Sequence, residues 1–247
     1  MRLFATALAC LLALTASLRA ADGLAVFDSL AQATATKDGQ VLEIAKGFEP
    51  TGVEITTNAD GFAALVFSNG VAVYVSANTR LRVDRYDQMP FESRPDDFEF
   101  EPSRSDLKLT LIQGQIALTQ RDPNPSSLLK VSLEDGVEAS LKAQAAVLIH
   151  EGVEKEVAIL KGRASIQIGD QTHLLNAGYR LQAHAVDPSN LIRPVTDALT
   201  QEWTPQTDIA LITLRRWFFQ TSDGAIEPMR VVPPVIRSSK PYHNTKL

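Results

Sequence analysis

The chain has 247 residues, of which 45% are hydrophobic and 21% are charged, as in an ordinary globular protein with one sizeable domain or two small ones. Aromatic residues make up only 6%, so Val, Leu, Ile and Ala must fill most of the core. The formal net charge of −5 argues against a nucleic-acid-binding protein, because such proteins carry basic surfaces.

Residues 1–20 have the features of a secretory signal peptide. Arg2 supplies a positive charge, and the apolar run that ends at Leu18 is shorter than the ~20 residues needed to span a bilayer. We therefore expect cleavage near Ala20 or Ala21 and a periplasmic or secreted protein without an integral membrane span. An uncleaved anchor in the inner membrane is the alternative interpretation.

The only cysteine, Cys10, lies in this predicted signal peptide. The mature protein is therefore expected to contain no disulfide and to depend on its core for stability. Loss of Arg2 and Arg19 with the signal peptide changes the formal charge from −5 to −7. We expect an acidic, cysteine-free, exported protein.

Residues 51–83 alternate between apolar and polar side chains in the manner of β-strands. Val71, Val73 and Val75 share one face of a predicted strand, and Leu81 and Val83 share one face of the next. This period of two, with Asn-Gly and Asp-Gly pairs between the runs, predicts hairpins.

Glycines that follow polar residues recur along the mature chain at the spacing of short strands. Such pairs favour tight turns with positive φ. We predict structural turns at five of these glycines, Gly61, Gly70, Gly114, Gly162 and Gly178. The pattern predicts a mainly β domain over residues 24–185, either an antiparallel β-sandwich or a wound, solenoid-like β-stack.

Two further hairpins and a weak internal repeat lie in the second half of this domain. Gly169-Asp170 is a predicted two-residue turn, and residues 145–150 are expected to pair with 157–160. The repeat aligns 111–118 with 159–166, because each has an apolar pair, one polar residue, a glycine and an alternating strand.

The long segment 86–106 interrupts the β pattern. It combines three prolines and seven acidic residues with three phenylalanines, and long loops on rigid β scaffolds are frequent binding sites. The candidate partner-binding residues are Phe91, Phe98, Phe100, Asp96 and Asp97. The alternative is an extended flap whose phenylalanines cover a face of the domain's own sheet.

The character of the chain changes after residue 185. We predict a linker and a helix within 186–223, the helix spanning 205–221 with Thr204 as its cap and Pro205 in its first turn. Leu211, Leu214 and Phe218 fall on one face of the predicted helix, which predicts packing against the β-domain rather than insertion in lipid. Residues 224–247 are proline-rich and are expected to be extended.

The motifs of common catalytic and cofactor sites are missing from the sequence. The four histidines have no metal-ligand spacing, and His150 and His184 are expected on outward faces of strands. Serine-hydrolase elbows and phosphate-binding or dinucleotide-binding loops are also missing. We therefore expect no catalytic residues, no bound metal and no cofactor, and a hydrolase with an unrecognised site is a minor alternative.

Residues 41–183 carry an ordered series of soft, glycine-centred motifs. The first group comprises Gly52, Thr56, Gly61, Phe67, Gly70, Val75, Thr79 and Leu81, and the last comprises Leu175, Ala177, Gly178 and Leu181. In this order they resemble the FecR-type periplasmic domain family. The regulators of that family place a cytoplasmic anti-sigma domain before a membrane segment. Here only two residues precede the apolar run, so a stand-alone periplasmic module is expected.

The resemblance implies a non-catalytic module of the cell envelope that receives a signal through protein–protein contact. Its partner would be an envelope protein. A carbohydrate-binding or peptidoglycan-binding β-domain is the alternative, although Trp203 and Trp217 both lie outside the predicted β-module.

Overall fold

The computed structural model describes residues 21–91, 99–134, 136–183, 191–222 and 225–231. These residues form sixteen strands and one helix. In chain order the strands are β1 Ala21–Asp22, β2 Ala25–Lys37, β3 Gln40–Val41, β4 Gly47–Phe48, β5 Glu54–Phe67, β6 Val71–Val75, β7 Arg80–Gln88, β8 Ser105–Gln120, β9 Leu128–Leu133, β10 Val137–Glu151, β11 Glu154–Ile168, β12 Gln171–Asn176, β13 Tyr179–Gln182, β14 Ile192–Pro194, β15 Trp217–Ser222 and β16 Ala225–Arg230. The helix α1 is Asp197–Arg216.

Five long strands, β2, β5, β8, β10 and β11, bend midway and give one half to each of two layers. The order of the first layer is β4-β2-β5-β6-β8-β10-β11-β13-β14. The order of the second layer is β3-β2-β5-β7-β8-β9-β10-β11-β12. Pairing is antiparallel except between β8 and β9. The prediction of a mainly β, sandwich-like or wound fold is confirmed.

The main core lies between the two layers and is built from the alternation seen in the sequence. Val71, Val73 and Val75 are at most 3% exposed, and Leu81 and Val83 are completely buried. All five belong to one continuous apolar cluster. Burial of each such side chain stabilises the fold by about 1.5–3 kcal/mol, so the alternation defines the inner face of β6 and β7.

Three of the five predicted turn glycines lie inside strands instead. Gly114 and Gly162 occupy the bends of β8 and β11 with φ of +91° and +99°, and Gly61 lies within β5 against the backbone of Gln32. The turn prediction is wrong there, because positive φ and a missing Cβ also permit a long strand to bend. Gly70 and Gly178 lie at turns, with φ of +83° and +82°.

The same bend explains the internal repeat. Residues 111–118 and 159–166 are the central parts of β8 and β11, and each repeat has its glycine at the bend. The predicted hairpins are confirmed, since Ile168 pairs with Gln171 across Gly169-Asp170. The pairing of β10 with β11 extends further than predicted, to Glu151 and Glu154.

The helix α1 begins earlier and ends earlier than the sequence predicted. Thr196 is its N-cap and accepts a hydrogen bond from the Leu199 backbone N–H, while Pro205 lies inside the helix. The helix ends at Arg216, because the bulky aromatic residues that follow favour a strand. That strand, β15, pairs with β16, so the expected extended tail begins with a hairpin. Residues 232–247 lie outside the described residues.

The helix and the β15–β16 hairpin cover the outer face of the first layer. Trp203 of α1 is 1% exposed and packs on three small side chains, Ala117, Val147 and Ala158. Further along the helix, Leu214 packs with Trp217 and Phe219 on β2, β5 and β6. The centre of the first layer is therefore buried on both faces, whereas its edge strand β14 is exposed. No helix within the described ranges is long and apolar enough to cross a membrane.

Candidate interaction surface

The predicted insertion is shorter than the interval 86–106, because its ends continue the β7–β8 hairpin. Gln88 pairs with Ser105, and the Met89 N–H donates to the Arg104 carbonyl at 2.9 Å. The Ser103 hydroxyl also donates to the Met89 carbonyl at 2.6 Å. The two ends of the insertion are therefore hydrogen-bonded to each other where they leave the β7–β8 hairpin. Residues 92–98, the middle of the insertion, lie outside the described residues.

A buried polar network joins this point to the β5–β6 turn. The Tyr86 hydroxyl is buried and accepts a hydrogen bond from the Asn69 backbone N–H at 2.7 Å. The Asn69 side chain in turn donates to the Ser105 hydroxyl at 2.9 Å. Burial raises the pKa of Tyr86, so its hydroxyl stays protonated and hydrogen-bonds with Ser68 at 3.0 Å.

Glu101 extends the network into the returning limb of the insertion. Its carboxylate accepts hydrogen bonds from the Ser105 hydroxyl at 2.6 Å, the Ser127 hydroxyl at 2.8 Å and the Asn124 N–H at 2.7 Å. Burial raises the pKa of Glu101, and these hydrogen bonds together with Lys142 offset part of that rise. The half-buried carboxylate therefore joins residues 99–104 to the start of β8 and to the loop before β9, and so holds them against the sandwich.

The five predicted partner-binding residues fall into three environments. Phe91 is only 9% exposed and packs with Trp217 and Phe219, and its carbonyl accepts a hydrogen bond from Thr221 at 2.7 Å. Its prediction as a binding residue is wrong, because this side chain completes the domain's own core. Phe100 is 56% exposed. The remaining three, Phe98, Asp96 and Asp97, lie outside the described residues.

The backbone at Phe100 is held in place, although the side chain is exposed. It forms a β-bridge with Asp122, and the neighbouring Glu101 N–H donates to the Asp122 carbonyl at 2.9 Å. The Asp122 N–H donates in return to the Glu99 carbonyl at 2.9 Å. The exposed ring is therefore presented by a short strand-like segment with Glu101 anchored immediately behind it.

A groove of about 770 Å³ adjoins this segment, between α1 and the end of β8. Its charged lining residues are Glu99, Arg121, Asp122, Lys161, Asp208 and Arg215. Burial lowers the pKa of Arg121, although an arginine with an ordinary pKa above 12 stays protonated at neutral pH. The groove therefore presents both signs of charge beside an exposed aromatic ring. Phe100 and this groove together form the insertion-base surface.

The wall of the groove also contains buried polar atoms without partners among the described residues. They are the Thr119 hydroxyl and the Gln120 side-chain nitrogen, in side chains that are 3% and 8% exposed. A buried unpaired polar atom costs about 1–3 kcal/mol, so these two atoms lower the stability of the groove wall. Sequence reasoning missed the groove, because its lining residues come from separate strands, the helix and the insertion.

His150 and the two tryptophans lie where they offer no open site. His150, expected on an outward face, is only 6% exposed, and its Nδ1 lies 3.0 Å from the Leu111 carbonyl oxygen. That expectation is wrong, because His150 lies where β10 and β8 pair beside the Gly114 bend. His184 lies outside the described residues. Trp203 and Trp217 are 1% and 4% exposed under α1 and β15. In the described ranges, no three His, Cys, Asp or Glu side chains are grouped to hold a metal ion.

Comparison with known proteins gives few matches. No protein-family model matches the chain, and no curated protein matches it. Two crystal structures of a "putative anti-sigma factor" from Parabacteroides distasonis, at 2.50 and 1.65 Å resolution, are similar in fold. Each has a TM-score of 0.43 and 9% identity, and the similarity covers 60% of this chain and 62% of the other. A likeness at this level carries no argument about function.

Proposed function

We propose that this protein is an exported, non-catalytic interaction module of the cell envelope that receives a partner protein at the insertion-base surface. The observation that carries the proposal is the placement of Phe100, which is 56% exposed on a segment anchored by the hydrogen bonds of the half-buried Glu101. These hydrogen bonds fix the backbone next to an exposed aromatic ring.

Rigid presentation favours binding. A segment whose backbone is already ordered loses less conformational freedom when a partner arrives than a mobile loop would. Aromatic residues are also enriched among the few that contribute most binding energy. Phe100, fixed through Asp122 and Glu101, therefore has the chemistry of an anchor for a protein partner.

The adjoining groove supplies the polar part of such an interface. Lys161 is exposed on β11, and Asp208 and Arg215 are exposed on α1. Mixed charges around an apolar anchor are typical of protein interfaces, where they determine orientation and association rate more than affinity. A segment with both apolar and charged side chains is the partner chemistry that fits.

The resemblance to the FecR-type periplasmic domain supports the same class of function. Its motif glycines at positions 70 and 178 lie at turns, and the glycine at 61 lies in a strand where backbones approach closely. In that family the periplasmic domain receives a signal by protein–protein contact. Export by the predicted signal peptide would place this module on the same side of the membrane.

A glycan-binding function is less well supported. Both tryptophans are buried under α1 and β15, and the exposed ring of the insertion-base surface is a phenylalanine, which has no polar group to hydrogen-bond a sugar. The partner is therefore proposed to be an envelope protein.

Capture from envelope fractions tests the proposal with matched variants. Phe100→Ser removes the exposed ring, and a second variant replaces residues 92–98 by a Gly-Ser linker while keeping Phe91 and Glu101. Tyr179→Ser, which removes another exposed aromatic ring at 47% exposure, is the control. We expect the control and the parent to capture the same protein, and Phe100→Ser to lose it. If Phe100→Ser is folded and captures that protein as well as the parent does, the proposed surface is wrong.

A further inference from the structure

The outer edge of the second layer is the unprotected strand β12. Within the described part of the chain, β12 pairs only with β11, so its other edge presents backbone N–H and C=O groups that no ladder uses. Exposed strand edges readily pair with other chains, and proteins commonly protect them with charges, prolines, bulges or short length. β12 has six residues and contains none of the charged residues or prolines that serve this purpose.

The other edges of the two layers differ in this respect. β3 and β4 have two residues each, and β14 has three residues that include Arg193 and Pro194. Of the edges that the described residues give the two layers, β12 is therefore the longest and the only one of more than three residues without a charge or a proline, and the β15–β16 hairpin forms a separate sheet. It also carries Leu174, whose side chain is 76% exposed.

We propose that β12 pairs with β12 of a second copy of this chain, antiparallel about a two-fold axis at Leu174. This joins the second layers of two molecules into one continuous sheet. The proposal concerns a surface distinct from the insertion-base surface and does not depend on the function proposed for that surface.

The register follows from the two faces of the strand. Leu175 points into the core at 1% exposure, whereas Leu174 points outward. Directly opposed residues of an antiparallel pair lie on the same face, so a symmetric pairing must have its axis at a residue rather than between two residues. Centring on Leu174 places the two exposed leucines opposite each other, whereas centring on His173 places each leucine opposite Thr172.

Charges on the neighbouring strand are compatible with this register. Arg163 pairs with Asn176 within one molecule, and Gln167 pairs with Thr172. In the proposed dimer Asn176 faces Thr172 of the second copy. A row of four side chains then crosses the interface, from Arg163 and Asn176 of one copy to Thr172 and the neutral Gln167 of the other. Like charges therefore do not meet across the axis, which favours a second copy as the occupant of this edge.

The outer face beside the edge is also apolar. A trough of about 330 Å³ lies next to Leu174, and Leu128 borders it at 44% exposure. Ser165 pairs with Leu174, and Ser140 pairs with Ser165, so small side chains form the floor. The leucine pair at the axis would bury apolar surface against this floor. Because interfaces that bury less than about 1,200 Å² in total are weak and transient, we expect dimerisation to depend on protein concentration.

Cysteine cross-linking tests the register. In a Cys10→Ser background, Leu174→Cys places two thiols directly opposite each other at the axis, where Cβ atoms are about 4.5–5.5 Å apart. Val153→Cys is the control, because Val153 is equally exposed, at 74%, in the distant β10–β11 turn. We expect Leu174→Cys to form disulfide-linked dimers at least about tenfold faster, since paired thiols meet at a millimolar local concentration. Equal rates, or faster cross-linking through His173→Cys, would overturn the proposed pairing.

Sedimentation of the full exported chain provides the second readout. The parent and Val153→Arg are expected to show a mass that rises from monomer to dimer with concentration, whereas Leu174→Arg remains monomeric. Because both substituted positions are exposed, neither change removes a core contact. A parent that stays monomeric at high concentration, or a Leu174→Arg variant that dimerises like the parent, would overturn the inference.

Discussion

Substitution of the bend glycine Gly162 by Ala should destabilise the fold more than an equivalent substitution at a turn. Gly162 has φ of +99°, and an added Cβ would lie 2.7 Å from both the Ala143 Cα and the Lys142 carbonyl oxygen. These are backbone atoms of β10, so they can move away only if the two strands separate at the bend. Gly178 is the matched control, because its φ is +82° and an added Cβ meets nothing within 4 Å.

The two positions separate backbone strain from close packing. Both variants force an alanine into a positive φ, which costs on the order of 1–3 kcal/mol. Gly162→Ala adds an overpacking cost of about 1–3 kcal/mol, because β10 and β11 pair along their whole length. We therefore expect a loss of about 2–6 kcal/mol at Gly162 and of about 1–3 kcal/mol at Gly178.

Urea denaturation of the parent and both variants measures this difference. The expected result is a lower midpoint for Gly162→Ala than for Gly178→Ala, with the same m-value in all three proteins. Equal midpoints in the two variants would show that β11 does not need the close approach of β10 at its bend. The explanation of the internal repeat as a repeated bend would then be refuted.

Three other variants test separate parts of the structure. Gly70→Val is expected to cost about 1–3 kcal/mol by its positive φ, and an unchanged denaturation midpoint would show that this turn tolerates any residue. Trp203→Ala should cost about 3–5 kcal/mol, because it empties the contact between α1 and the first layer, and calorimetry would reveal a much smaller loss if the helix were loosely docked. Burial raises the pKa of Glu101, so the contribution of this group to stability is greatest at low pH and is lost as the pH rises through its folded pKa. Glu101→Gln should remove this part of the pH dependence, and parallel stability curves for parent and variant would contradict the assignment.

Local patterns in the sequence predicted much of the sandwich. The alternation of Val71, Val73 and Val75 requires only a period of two, which the chain expresses whether the strand is at an edge or in the centre. The two-residue turn at Gly169-Asp170 depends equally on adjacent residues. These features were predicted correctly because their physical cause is local.

The bends and the C-terminal region were predicted less well. A glycine with positive φ is required both where a chain reverses and where a long strand bends, so Gly114 and Gly162 could not be distinguished from turns. The capping residue Thr196 lies nine residues before Pro205, where the sequence pattern predicts the start of the helix. The preference of proline for the first turn does not determine this start, because Thr196 caps the helix and Trp203 covers an apolar surface in the turns before Pro205.

The candidate site was the hardest part to predict. The composition of the insertion identified Phe100, but it did not distinguish this exposed ring from the buried ring of Phe91. That difference arises because β15, far away in sequence, covers Phe91. The groove beside Phe100 depends on α1 and three strands, so its members carry no common sequence signal.

Site-specific photo-cross-linking in intact cells is the most direct test of the proposal that the insertion-base surface binds an envelope protein. A benzophenone side chain is introduced at position 100 in place of Phe100, and in a second strain at position 153 in place of Val153, which is even more exposed. Irradiation should produce one discrete adduct with an envelope protein from position 100 and none from position 153. The absence of an adduct at position 100, or the same adduct from both positions, would contradict the proposed interaction surface.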